Sequence, residues 1–204
     1  SAFYGETSEV ESLAALELAL DLGINFLDTA EIYGPFKNEI LLSKAVKGKR
    51  DKYVIATKTG VEVDDDGTYK GVNGKPEYIK KAIERSLKHL ETDYVDLYYI
   101  HRIDPNTPIE DTIGAMAELV KAGKIRYIGL SEASPETIRK AHAVHPVSAL
   151  QTEYSLFERS VEENGILDTV NELGIGFVAY SPLGRGFLSG EIKSIDDLAA
   201  DDWR

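Results

Sequence analysis

The sequence contains no cysteine, so neither a disulfide framework nor a thiolate metal site can form, and the default home of such a chain is the reducing cytoplasm. No apolar run approaches the roughly 20 residues that a membrane helix needs, and no secretory leader pattern stands at the start. Positive charge is scarce: 23 Lys and Arg face 35 Asp and Glu, a formal charge of −12. That balance repels a phosphate backbone, and no Lys/Arg stripe interleaved with aromatics overrides it locally, which argues against nucleic acid as a partner. A single anionic cofactor is still compatible with it, because one helix amino-terminus or one arginine can hold phosphate against the average field. What the chain does have is ordinary globular composition, 43% hydrophobic and 28% charged, and 204 residues, enough for one domain with a sizeable core.

The stretch Ile24-Asn25-Phe26-Leu27-Asp28 is an apolar run that ends abruptly in a carboxylate, followed by a short segment carrying Tyr33 and Gly34. A buried strand emptying into a functional loop reads this way, and in parallel α/β folds chemistry collects at that end of the strand. An Asp after a strand also serves as a helix cap, and a loop tyrosine as packing, so on this segment alone both readings stand.

The pattern repeats along the chain. Ser8-Glu9-Val10-Glu11 has the form of a capping box before an apolar helical face of Leu13, Leu16 and Leu20, closed by Gly23. A helix around 39–47 follows the first strand, and Tyr53 to Thr57 then forms a second apolar run, ending in Lys58. Residues 60–75, with Asp64-Asp65-Asp66-Gly67, read as a long polar loop that lacks the ligand spacing of a calcium loop. Pro76 opens a helix through Leu90, and Tyr94 to Ile100 is strand-like and ends in His101. Thr107-Pro108-Ile109-Glu110 has the form of a second capping box, leading a helix to Lys121. Three further runs end in Ser131, Gln151 and Tyr180, the last followed by Ser181-Pro182-Leu183-Gly184-Arg185-Gly186, with a helix expected over 161–173 between the last two. Residues 191–204 are acidic and read as loop.

Six strand-helix alternations imply a parallel sheet with right-handed crossovers. With polar residues at every strand's carboxyl end and no glycine fingerprint marking a single switch point, a (β/α)₈ TIM barrel fits better than an open sheet. Six strands do not close such a barrel, so the expectation is a single barrel domain over 1–204 that is incomplete, with one strand before Ser1 and at least one unit after Arg204.

Around a barrel rim, strand ends distant in sequence become neighbours, so Asp28, Tyr33, Lys58 and His101 can converge. A phenol with an ordinary pKa near 10 becomes a usable acid when a cation favours its phenolate, and Lys58 offers that charge. Asp28 would pair with Lys58, and His101 would offer a second donor to a substrate oxygen, which makes a carbonyl the target.

Here the sequence resembles the aldo-keto reductases, in Leu27-Asp28-Thr29-Ala30-Glu31-Ile32-Tyr33-Gly34, Lys58 in Ala-Thr-Lys, His101 in Tyr-Ile-His-Arg, then Gly-Leu-Ser at Ser131, Gln151, and Tyr180-Ser-Pro-Leu-Gly. The resemblance implies that Tyr33 is the general acid, tuned by Lys58 and Asp28, and that His101 orients the carbonyl of an aldehyde or ketone. It further implies NADPH as cofactor, with Ser131 and Gln151 on the nicotinamide carboxamide and Tyr180 under the ring. Ser181, Leu183, Gly184 and Arg185 would then run along the pyrophosphate. Glu132 departs from the pattern, since many members carry Asn there. The runs His101-Arg102-Ile103-Asp104 and Ser131-Glu132-Ala133-Ser134-Pro135 are similar to the bacterial and plant branch that includes perakine reductase. No metal is implied, and the oligomeric state is not legible.

Two other readings compete. A glycosidase would use strand-end carboxylates drawn from Glu132, Glu153 and Asp28. A non-catalytic partner protein, as potassium-channel β subunits are, would keep the fold and the cofactor, although retention of His101 favours chemistry.

Overall fold

The computed structural model describes residues 8–190, 192–198 and 202. In chain order the elements are α1 (Glu9–Asp21), β1 (Phe26–Asp28), α2 (Lys37–Val46), β2 (Val54–Thr59), β3 (Val61–Val63), β4 (Tyr69–Val72), α3 (Pro76–Leu90), β5 (Val95–Ile100), α4 (Ile109–Lys121), β6 (Ile125–Ser131), α5 (Pro135–Val144), β7 (Val147–Glu153), α6 (Ile166–Leu173) and β8 (Gly176–Tyr180). Six strands form one wholly parallel sheet in the order β1-β2-β5-β6-β7-β8, curled into part of an α/β barrel.

β2 and β5 are buried on both faces, β6 and β7 are so toward their carboxyl ends, and the edge strands β1 and β8 are more exposed; successive residues alternate between two packing layers. Ile55, Tyr98, Leu130 and Leu150 pack outward against the helices, while Ala56, Leu97, Tyr99 and Ala149 pack together on the concave side. The helices supply the other half of the outer layer. In α3 the buried positions Ile79, Ala82, Ile83, Ser86, Leu87 and Leu90 recur at helical spacing, and each fully buried Ile or Leu contributes about 2 kcal/mol. On the concave side Gly129 is required, because a Cβ there would lie 2.4 Å from the Tyr99 ring.

Four expectations are corrected or refined. The stretch 60–75 is not irregular: β3 and β4 pair antiparallel around a turn in which Gly67 has φ +87° and Asp64 accepts from the Gly67 N–H. The helix expected over 161–173 is broken, with a short 3₁₀ turn at Ser160–Glu162 and α6 starting only after Gly165, whose φ of +81° no right-handed helix accommodates. Thr107 does not cap α4: its hydroxyl donates to Asp104 at 2.8 Å and Pro108 occupies the cap position. Within 191–204 a single 3₁₀ turn spans Ile195–Asp197, while Glu191, Ala199, Ala200, Asp201, Trp203 and Arg204 lie outside the described residues. The cap expected at Ser8 forms, its hydroxyl accepting from the Glu11 N–H, and Ser134 caps α5 in the same way, accepting from the Thr137 N–H.

Candidate active site

Strand parity places the candidate residues. Lys58 lies two positions beyond Ala56, His101 two beyond Tyr99, Ser131 two beyond Gly129 and Gln151 two beyond Ala149, so all four share the concave face at the carboxyl ends of their strands. Asp28 stands level with Ala56, Lys58 with Tyr99, Ser131 with Gln151, and Glu153 with Tyr180. Short buried strands in register thus bring together groups more than a hundred residues apart.

The Lys58 side chain is fully buried, and three oxygens surround its ammonium. It forms an ion pair with the Asp28 carboxylate, donates to the Thr29 carbonyl at 2.9 Å, and stands 3.4 Å from the Tyr33 hydroxyl. Asp28 is held from its other oxygen by the Gln151 amide, which donates at 2.8 Å. The His101 ring meets the Tyr33 ring edge-on, with centroids 5.9 Å apart. Burial, reinforced by the charges of Lys58 and Arg102, pushes the imidazole pKa down from 6.5 to about 3, so His101 is neutral at physiological pH.

The loop that carries Tyr33 is anchored from below. Glu31, one of its residues, is buried and accepts from Arg85 Nε at 2.8 Å and from the Tyr78 hydroxyl at 3.2 Å, both on α3. Arg85 also donates to the Val63 carbonyl and to Asp65, tying the loop to the β3–β4 hairpin. Burial outweighs the arginine and raises the Glu31 pKa to about 7.

On the other flank, Ser131 and Gln151 lie side by side and nearly buried. A hydroxyl and an amide at adjacent strand ends offer both a donor and an acceptor, the set a carboxamide needs, so the residues present fit a nicotinamide. Tyr180 ends β8, its phenol pushed up by burial and by the neighbouring carboxylates of Glu132 and Glu153. Beyond it Ser181, Gly184 and Arg185 have φ of +50°, +56° and +55°, turning the backbone sharply beside the site, with Leu183 exposed among them. Arg185 pairs with Glu153 at 3.3 Å, and Glu132 accepts from the Glu153 N–H at 3.0 Å. All three carboxylates considered for a glycosidase, Glu132, Glu153 and Asp28, are thereby engaged within the protein. Among the described residues no His/Asp/Glu cluster could hold a metal ion, and no helix is long and apolar enough to cross a membrane.

Sequence reasoning did not find the bond from Gln151 to Asp28, the Thr29 carbonyl as a lysine ligand, or the Glu31–Arg85–Tyr78 anchor. The first spans 123 positions and the last 54, with no local pattern to betray either. A charged residue inside the Asp28–Gly34 segment was the one available hint of the anchor.

The family model described as "Aldo/keto reductase family" matches residues 2–204. Among solved structures, the glycerol dehydrogenase of Gluconobacter oxydans is 33% identical with a TM-score of 0.89, the match covering 98% of this chain and 62% of that one. An aldo-keto reductase of Bacillus halodurans in its holo form is 36% identical with a TM-score of 0.82, over 90% of this chain and 61% of that one. A thermostable aldo-keto reductase in complex with the inhibitor epalrestat is 32% identical with a TM-score of 0.79, over 96% and 67%. The chain therefore spans about three fifths of the length of the first two.

Proposed function

Since this chain belongs to the aldo/keto reductase family, we propose that it is the catalytic part of a nicotinamide-dependent reductase of aldehydes or ketones. The observation that carries this reading is the Tyr33 hydroxyl 3.4 Å from an ammonium that is itself fixed by Asp28 and the Thr29 carbonyl.

Ser131 and Gln151 would hold the nicotinamide carboxamide, Tyr180 would lie under the ring, and Ser181, Leu183, Gly184 and Arg185 would follow the pyrophosphate. Bound there, the nicotinamide supplies the hydride. The protein supplies the proton and the geometry. Tyr33 gives its phenolic proton to the carbonyl oxygen, and the Lys58 ammonium faces the phenolate that is left. Asp28 keeps that ammonium in place, since a fully buried charge is costly without a counter-charge beside it. His101, being neutral, acts as a hydrogen-bond donor to the carbonyl oxygen and leaves protonation to Tyr33. The preference for NADPH over NADH rests on the family resemblance, as does the perakine-reductase branch, which draws on the two runs after β5 and β6.

Loss of reduced-cofactor absorbance with aromatic and aliphatic aldehydes, run with NADPH and NADH in parallel, tests this reading. Aldehyde-dependent oxidation is expected, faster with NADPH. Tight cofactor binding by fluorescence titration with no turnover of any carbonyl would instead establish the non-catalytic partner protein.

A further inference from the structure

Every described arginine except one has a carboxylate partner: Arg50, Arg85, Arg126, Arg139, Arg159 and Arg185 each lie within 3.3 Å of an Asp or Glu oxygen. In a chain with 35 acidic and 23 basic residues that is the expected state of a guanidinium. The exception is Arg102, which immediately follows His101 at the end of β5. Its Nη1 donates to the His101 carbonyl at 2.8 Å and lies 3.4 Å from Ser131 Oγ. Both acceptors are neutral, so they fix the guanidinium without cancelling its charge.

Its position is equally specific. It adjoins His101 in the chain and reaches Ser131, and its charge is felt by the His101 imidazole and by the Tyr180 phenol, so it lies near both the residue proposed to orient the carbonyl and the one proposed to lie under the nicotinamide. The loop proposed to follow the pyrophosphate starts after β8, with β6 and β7 intervening. The Lys58 charge is committed to Asp28 and the Arg185 charge to Glu153. Arg102 is therefore the described arginine at this rim whose charge no carboxylate of the described residues answers.

Resting on the reductase reading above, we propose that Arg102 binds a carboxylate carried by the carbonyl substrate, so that the site favours oxo-acids and carboxy-aldehydes over neutral carbonyl compounds. The planar guanidinium suits this role, because its remaining N–H groups can form the paired bonds that a carboxylate accepts. An anionic substrate approaching a protein of net charge −12 also needs one such local group to offset the average repulsion.

The test compares 4-carboxybenzaldehyde with benzaldehyde, two substrates of the same reactive group that differ in charge. In Arg102→Gln the ratio of their kcat/KM values should fall at least about tenfold, through KM for the carboxylate. Arg102→Lys, which keeps the charge and loses the fork, should recover part of it. In the unmodified protein, raising the salt concentration should increase KM for 4-carboxybenzaldehyde and leave that for benzaldehyde unmoved, a readout that needs no variant to fold. An unchanged ratio with salt-independent KM values overturns the proposal. So does an unchanged ratio with a tenfold weaker NADPH affinity in Arg102→Gln, which would assign the arginine to the cofactor. Absence of turnover with either aldehyde would overturn the reductase reading and this proposal with it.

Discussion

Replacing Glu31 by Gln should change how the stability of the protein depends on pH. The Glu31 carboxyl faces Arg85 and Tyr78 on α3 and feels the charge of Glu39 on α2. Arg85 favours the ionised form, but burial dominates, and the pKa rises from 4.5 to about 7. A raised carboxyl pKa means that between those two values the folded protein keeps a proton that the unfolded chain has released. Stability from this group is thus fully present below pH 4.5 and is lost as pH rises through 7. The rise corresponds to roughly 3 kcal/mol at 1.36 kcal/mol per unit, with no discount for exposure because the residue is only 1% accessible. A glutamine keeps an acceptor for Arg85 and cannot ionise. Urea unfolding of both proteins at pH 5 and pH 8 measures the effect, and the Gln variant should gain a large part of that ~3 kcal/mol on the wild type between the two. Parallel pH dependences in the two proteins would show that Glu31 is ionised throughout, and that Arg85 outweighs its burial.

Other expectations concern packing and the site itself. Gly129→Ala should destabilise by about 1–3 kcal/mol, read as a lower urea midpoint at constant slope, because its Cβ would press into the buried Tyr99 ring; a midpoint equal to wild type would mean the strand can give. His101 should show no imidazole titration between pH 5 and 8 by NMR, its pKa having fallen to about 3. Because that pKa is lowered, the neutral form stabilises the fold above pH 6.5 and this contribution disappears as pH falls toward 3. Lys58→Met should reduce kcat by at least about 10²- to 10³-fold, the order expected when a charge 3.4 Å from a developing phenolate is removed. A smaller loss in the pH 7 rate than in cofactor affinity would move Lys58 from proton transfer to binding.

Much of this architecture is legible in the residues because each strand of the parallel sheet is a short, largely apolar run with a polar side chain at or beside its carboxyl end. Asp28, Lys58, His101, Ser131, Gln151 and Tyr180 announce themselves in that way, and parity does the rest. The β3–β4 hairpin escapes because its strands are only three and four residues long, β4 is largely exposed, and the pairing shifts register at Glu62/Val63, so no alternation of useful length is present. The expected helix over 161–173 fails at a single residue: apolar spacing continues across Gly165, while the backbone does not. What holds the site together is least legible of all. The Gln151 bond to Asp28 and the Glu31–Arg85 anchor depend on which strands and helices end up adjacent, and that is a property of the sheet order.

The proposed proton donor can be examined without steady-state complications by single-turnover reduction of an aldehyde, comparing wild type with Tyr33→Phe at saturating cofactor. The phenylalanine keeps the ring beside Lys58 and His101 and removes only the hydroxyl. A rate lower by about 10²- to 10⁴-fold, with cofactor affinity by fluorescence titration unchanged, is the expected result. Reduction at the wild-type rate would mean that the proton comes from elsewhere and that the cluster around Lys58 serves another purpose.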